Sequence, residues 1–328
     1  MKLAIFGSGK IVQEFLPLIK DLPEIQVKAI LGTKRSQEKT EKLQATYGIE
    51  AAYTDIDECL KSTDFDTVYV AVPNHLHYAF AKKALAAGKH VICEKPFTLK
   101  YAELLELERL ALEKELVLVE AITNQYLANY QGIKEASQNI GQLKIIECNY
   151  SQYSSRYDAF RAGTILPTFD PKKGGGALMD INIYNIHLVV GLLGKPQRVQ
   201  YFANVERAID TSGMLILDYG DVKAVCIGAK DSAATIRSTI QGNEGSVVVN
   251  GPTNTLESYT IESLAGEQET FDNKRHPHRM YDEFKQFSQV IKNKDLTFVK
   301  QQLEHSKIVM EIVETALADA GIVLGEEK

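Results

Sequence analysis

The chain has 328 residues, 45% of them hydrophobic, which is more than one ordinary core holds and comfortable for two domains. A net charge of -6, with basic residues spread along the chain, excludes the cationic footprint of a nucleic-acid binder. No apolar run reaches the roughly 18 residues of a membrane span, and the opening MKLAIFGSG enters a strand at once, so a cytoplasmic globular protein is expected.

Short apolar runs alternate with amphipathic stretches over the first 120 or so residues. Strands are expected at 2–6, 27–31, 51–53, 67–72, 90–93 and 116–119, and helices at 11–19, 37–47, 76–87 and 101–115. The last helix is the clearest, with Leu104, Leu107 and Ala111 along one face. Pro17 predicts a kink or an early end to the first helix, and Ser36 is a candidate N-cap for the second. Strands apolar on both faces, separated by helices, imply a doubly wound parallel sheet of the Rossmann type, whose ligands bind at the carboxyl ends of the strands.

After about residue 123 the pattern changes. A helix at 126–139 and a strand at 143–153 lead to an irregular stretch rich in Ser, Gly and Pro, then a helix at 177–193. Two-sided strands follow at 197–206, 213–219, 222–229, 235–241 and 246–250, with turn signals at DYGD and NEG between them. Two helices, 280–292 and 301–320, end the chain, and 326–328 reads as a solvated tail. The fold class is thus α/β: a Rossmann domain over 1–122 and a C-terminal α+β domain over 123–328 with an open, mostly antiparallel sheet.

Five motifs carry chemistry. GSGKIV directly follows the first strand and opens a helix, so Gly7, Ser8, Gly9, Lys10 and Ile11 are candidates for cradling a dinucleotide pyrophosphate. Val12 stands where the fingerprint has its third glycine. The second strand ends in LGTKRS; an NAD-selecting protein places a carboxylate there, whereas Thr33, Lys34 and Arg35 suit a 2′-phosphate, so NADP is expected over NAD. AVPNHLH brings Pro73, Asn74 and His77 to the cofactor side, where His77 either hydrogen-bonds the cofactor or fixes the loop. The fourth strand end of interest is CEKPF: Glu94 is assigned to the cofactor side, and Pro96 presses Lys95 towards an extended conformation at the strand's end. In GGGALMDINIYNIH, a glycine turn precedes a helix on which Asp180, Tyr184 and His187 fall at i, i+4 and i+7 on one face. No metal is expected: His75 and His77 have no companion ligands, HPH at 276–278 reads as a loop, and Cys59, Cys93, Cys148 and Cys226 read as buried free thiols.

GSGKI, VPNHLH, CEKPF and GGGALMDINIYNIH together resemble the Gfo/Idh/MocA oxidoreductases, named for glucose–fructose oxidoreductase and inositol dehydrogenase and including dihydrodiol dehydrogenases. The resemblance covers nearly the whole chain. It implies hydride transfer between NAD(P) and a sugar, polyol or diol, and a homodimer or homotetramer built through the open sheet. It also implies roles: Lys95 beside the reacting carbon, Tyr184 as acid/base four residues after Asp180, and Asp180 and His187 orienting the substrate, with Tyr184 or His187 carrying the proton. Asn182 stands where relatives often have Gly, and EAITNQY puts Asn124 and Gln125 where relatives of the Tyr type have a Thr-Arg pair. Arg156 and Tyr157, in SSRYDAFR, are candidate substrate contacts, with surface salt-bridging as the alternative. A non-catalytic dinucleotide sensor or a structural subunit on the same scaffold would not need Lys95, Asp180 and Tyr184 together.

Overall fold

The computed structural model describes residues 1–61 and 64–325, so the tail at 326–328 lies outside the described residues. Two compact units emerge: residues 1–121 with 280–304, and residues 122–279 with 305–328.

The first unit holds strands β1 (Lys2–Phe6), β2 (Gln26–Leu31), β3 (Ala51–Tyr53), β4 (Thr67–Val70), β5 (His90–Glu94) and β6 (Leu118–Ala121). Between them run helices α1 (Lys10–Phe15), α2 (Gln37–Tyr47), α3 (Ile56–Lys61), α4 (His77–Ala86) and α5 (Tyr101–Glu113). The sheet order is β3-β2-β1-β4-β5-β6, parallel throughout. Covering both faces makes the strands apolar; β4 is buried along its whole length. The order reverses between β1 and β4, which puts the topological switch point at Phe6 and Val70 and the loops that follow them. Pro17 acts as its φ restriction demands: α1 ends at Phe15 and the chain tightens into a 3₁₀ turn over Leu16–Asp21.

The second unit starts with α6 (Ala128–Ser137), β7 (Leu143–Ser151) and a short α7 (Tyr157–Arg161). A π turn (Leu178–Asn182) then runs into α8 (Ile183–Leu193). The stretch Pro171–Leu193 is long and apolar enough to cross a membrane, but 72% of its most apolar window is buried within the protein, as in a core helix. Strands β8 (Arg198–Glu206), β9 (Ile209–Asp218), β10 (Lys223–Ala229), β11 (Arg237–Gly242), β12 (Gly245–Asn250), β13 (Ser258–Ser263) and β14 (Gln268–Phe271) complete an eight-stranded sheet. Its order is β14-β13-β12-β11-β7-β10-β9-β8, with β7 and β10 parallel and the other pairs antiparallel. Helices α6 and α8 cover one face, on which Cys148, Leu215, Cys226 and Val247 are buried. The opposite face leaves Ile145, Phe202 and Met214 each about half exposed.

Two helices close the chain, α9 (Tyr281–Asn293) and α10 (Leu296–Asp319). Here the expected boundary needs revision. Helix α9 belongs to the first unit, because Phe284 and Phe287 give it an apolar face. The Phe284 ring centroid lies 4.1 Å from that of Phe15 and 5.1 Å from that of Tyr69. A contiguous division at 122 cannot contain this return, which rests on aromatic burial between residues some 270 positions apart in sequence.

Candidate active site

In the first unit the site grows from the turn after β1. Gly7 has φ +126°, and a Cβ there would stand 2.2 Å from the Ala71 carbonyl oxygen, so only glycine permits β1 and β4 to end this close together. At Gly9, just before α1, a Cβ would meet nothing within 4 Å, leaving open space above the backbone. Gly7, Ser8, Gly9, Gly32, Thr33, Ser36, Lys39 and Pro73 are among the residues lining a cavity of about 390 Å³, with an apolar wall from Leu31, Val72, Leu76 and Phe80. Room at Gly9, backbone amides entering a helix and an apolar wall fit the pyrophosphate and a nucleoside of a dinucleotide. Lys10, Ile11, Lys34, Arg35, Asn74, His77 and Glu94 do not line this cavity.

Two of these residues have other work. His77 is fully buried, with Nδ1 2.8 Å from the Pro96 carbonyl oxygen and Nε2 2.9 Å from that of Val72. Burial lowers its pKa against the two carbonyls, which raise it, and the ring lies between the loop after β4 and the loop after β5. Both ring nitrogens lie within hydrogen-bond distance of backbone carbonyls, which supports the loop-fixing alternative for His77. Glu94 accepts a hydrogen bond from the Tyr69 hydroxyl through Oε1. Lys95 follows it, partly exposed, with a cis peptide to Pro96; the Phe97 amide donates to Glu120 Oε1 at 3.1 Å.

The entry to α2 is a 3₁₀ turn over Lys34–Ser36 capped by Thr33, whose Oγ1 accepts from the Ser36 amide at 3.2 Å while Ser36 Oγ accepts from the Thr33 amide at 2.9 Å. Ser36 is the N-cap residue of α2, as expected, but its side chain serves the preceding turn. Lys34 and Arg35 are exposed, and Lys39, one turn into α2, is the cation lining the cavity.

In the second unit the site is the glycine turn and the helix after it. Gly176 has φ +102°, and a Cβ there would lie 2.1 Å from Asp210 Oδ1. Asp210 is fully buried, which raises its pKa, and its Oδ2 accepts from the Leu178 amide at 2.6 Å and the Tyr201 hydroxyl at 2.8 Å. It thus anchors the first turn of the helix from a distant strand. The turn it anchors is π rather than α, a widening common at functional sites, so the expected i, i+4, i+7 stripe is broken.

The consequences differ residue by residue. The Asp180 side chain is 39% exposed, and its Oδ2 accepts from Lys230 Nζ at 2.6 Å and Thr168 Oγ1 at 3.0 Å. Tyr184 is mostly buried, its ring centroid 6.4 Å from that of Tyr150, and its carbonyl accepts from Asn124 Nδ2 at 2.9 Å. His187 is fully buried, with Nδ1 2.9 Å from His305 Nε2. Burial, His187 and Lys134 together lower the His305 pKa to about 3. The structure therefore does not bring His187 to the half-exposed position of Asp180: its ring is buried against His305.

The two departures noted in the sequence prove to be packing devices. Asn182 Nδ2 donates to the Cys226 carbonyl at 3.0 Å, and its side chain lies over Gly228 on β10. Gln125 Nε2 donates to the His187 carbonyl at 3.0 Å, beside the Asn124 bond to Tyr184, so the Asn-Gln pair holds α8 by its backbone. Tyr157 is also structural on this geometry. Its ring packs 5.7 Å from that of Phe169, and its hydroxyl donates to Glu206 Oε1 at 2.6 Å, which pushes its pKa up to about 12. Arg156 is exposed. Among the described residues no group of three or more His, Cys, Asp or Glu side chains is placed to hold a metal ion. Lys230 and Lys39 were missed in the sequence, because nothing local marks either lysine as facing a site.

Comparison with known proteins agrees with this architecture. Residues 1–121 match the oxidoreductase family GFO_IDH_MocA, NAD-binding Rossmann fold, and residues 134–248 match the GFO/IDH/MocA C-terminal domain. The chain is 34% identical over 326 residues, 98% of each chain, to a scyllo-inositol 2-dehydrogenase (NADP(+)), IolU, of Bacillus subtilis. It is 27% identical to a trans-1,2-dihydrobenzene-1,2-diol dehydrogenase of Xenopus laevis, over 76% of this chain and 79% of that one. Its fold superposes with a TM-score of 0.83, at 20% identity over 100% of this chain and 99% of the other, on KijD10, a 3-ketoreductase of Actinomadura kijaniata solved with NADP and TDP-benzene. Cradle, second-unit sheet and end-to-end relatives agree, and the chain belongs to the GFO/IDH/MocA family of oxidoreductases.

Proposed function

We propose that this oxidoreductase is an NADP-dependent dehydrogenase of neutral polyhydroxylated small molecules, inositols or sugars, acting at a CH–OH carbon. The observation that carries the reading is the 34% identity, over 98% of each chain, to an NADP-dependent scyllo-inositol dehydrogenase. The first-unit cavity supports it with open space at Gly9 and one cation, Lys39, on its lining.

Bound NADP supplies the hydride acceptor. This chain's residues handle the rest: Tyr184 takes the proton of the hydroxyl being oxidised, and the half-exposed Asp180 carboxylate accepts from a neighbouring substrate hydroxyl. Lys95 supplies the cation that stabilises developing oxyanion character. Calorimetric titration with NADP and NAD, followed by a panel of inositols, sugars and diols read at the reduced nicotinamide absorbance, tests the reading. Turnover of at least one cyclic polyol with tighter NADP than NAD binding is expected; no bound dinucleotide at all would overturn it.

The same reading includes a homo-oligomer formed through the open sheet face. On that face Phe202 pairs with Met214 and Met214 with Ile227, and Ile216 pairs with Val225, giving contiguous apolar rows. Light scattering with Met214→Glu is the check: wild type elutes as a dimer or tetramer and the variant as a monomer, whereas a monomeric wild type refutes the assembly. A cytoplasmic location accords with the four cysteines, all buried thiols without disulfides.

A further inference from the structure

Lys230 follows the last residue of β10 and has only 2% of its surface exposed. Its backbone is pinned on both sides: the amide donates to the Thr211 carbonyl at 2.8 Å, and the carbonyl accepts from the Ser154 amide at 2.8 Å. The side chain turns inward past Phe169, whose ring centroid lies 4.6 Å from Nζ. There the ammonium donates to Asp180 Oδ2 at 2.6 Å, to the Thr168 carbonyl at 3.0 Å and to Thr168 Oγ1. The Thr168 hydroxyl in turn donates a hydrogen bond to the same Asp180 oxygen at 3.0 Å. Three ammonium protons thus meet three acceptors, and Asp180 Oδ2 receives two donors from one closed triangle.

Burying a lysine costs several kcal/mol in desolvation, and a well-packed apolar residue of similar volume serves stability as well or better. The cation is also far more deeply buried than its partner, 3% exposure of the side chain against 39% for Asp180. The charge therefore supports the carboxylate from within the protein while leaving that carboxylate open to solvent. An ammonium at this distance favours the ionised form, and an ionised carboxylate only accepts hydrogen bonds.

We propose that Lys230 is a positioning residue that acts through Asp180, locking that carboxylate in one orientation as an obligate acceptor for a substrate hydroxyl. The proposal rests on the functional reading above and sharpens it: the group bound at Asp180 must bring a proton, so a hydroxyl is selected and a phosphate or carboxylate is rejected. The sequence shows only a lysine at a strand's end.

The test uses the full-length protein with NADP and scyllo-inositol as probe, in the variants Lys230→Met, Lys230→Arg, Asp180→Asn and the double variant Lys230→Met/Asp180→Asn. Lys230→Met is expected to raise KM for scyllo-inositol about 10- to 100-fold while KM for NADP stays within about twofold. Lys230→Arg is expected to recover part of the loss. In the Asp180→Asn background, Lys230→Met is expected to change kcat/KM by less than about twofold, the mark of action through Asp180. An unchanged KM in Lys230→Met, or an equal loss in both backgrounds, overturns the proposal. Should Lys230→Met fail to fold, Thr168→Val removes one donor to Asp180 and one acceptor of the ammonium; it is expected to raise the same KM, and an unchanged KM overturns the proposal equally. A readout free of turnover separates this claim from the functional one. Nitrogen-15 spectra of the lysine ammonium groups should show one slowly exchanging signal, absent in Lys230→Met and broadened in Asp180→Asn, and its absence from wild type refutes the triangle. A wild type that shows the signal yet oxidises no polyol defeats the functional reading, whereas an active wild type indifferent to Lys230→Met defeats only the role of Lys230.

Discussion

The dinucleotide cradle of the first unit and the Asp180 helix of the second are assembled by opposite routes. The cradle comes from strand ends and the few residues after them: Gly7, Ser8 and Gly9 follow β1, and Gly32 and Thr33 follow β2. The Asp180 helix is held by residues remote in sequence, with Asp210 on its first turn, Lys230 and Thr168 on Asp180, and Asn124 and Gln125 on its backbone. A cradle for a common cofactor needs only backbone geometry, which a short motif encodes. A site that recognises one substrate depends on side chains that tertiary structure brings together, and the proposed function assigns substrate choice to that unit.

The largest expected effect falls on the remote-contact side of this comparison. Tyr184→Phe removes the proposed proton carrier and is expected to lower kcat by about 10²- to 10⁴-fold while calorimetry shows NADP bound as in wild type. Loss of dinucleotide binding in that variant would break the separation between the units.

On the local side, Gly7→Ala forces a Cβ to within 2.2 Å of the Ala71 oxygen at a positive φ. A loss of about 3 kcal/mol in urea unfolding is expected, together with loss of NADP binding. Wild-type stability in this variant would refute the close approach of the β1 and β4 ends.

A pH experiment probes the core behind α8. The folded-state pKa of His305 is lowered to about 3 from 6.5, so above pH 6.5 the residue is neutral folded or unfolded and contributes no slope. Below that value the unfolded chain takes the proton first, and stability falls as pH drops towards about 3, by at most about 1.4 kcal/mol per pH unit from this group. Chemical denaturation across this window should show a shallower slope in His305→Gln than in wild type. Equal slopes would place the acid sensitivity elsewhere.

The smallest effects concern cofactor choice. Lys39→Ala is expected to weaken NADP relative to NAD binding by about 2- to 5-fold, more than Lys34→Ala or Arg35→Ala, because only Lys39 lines the cavity. The reverse order would restore the reading of LGTKRS in which Lys34 and Arg35 meet the 2′-phosphate.

What the sequence made legible follows the same division. The strands at 2–6 and 51–53 and the helix at 37–47 stand where expected, since parallel strands buried on both faces and amphipathic helices leave periodic marks. Strands β13 and β14 escaped notice because SYTIES and QETF carry too few apolar residues to stand out from loops. The π turn was equally hidden, since a single widened turn changes no residue type and only breaks the alignment of Asp180 with His187. Lys39, Lys230 and the return of α9 to the first unit all depend on distant partners, and local pattern carries no information about them.

The most direct test of the central claim compares the initial rate of NADP reduction with scyllo-inositol in wild type and in Lys95→Ala. Robust turnover by wild type and a loss of about 10²-fold or more in the variant are expected, with NADP still bound. Full turnover by Lys95→Ala would contradict that claim.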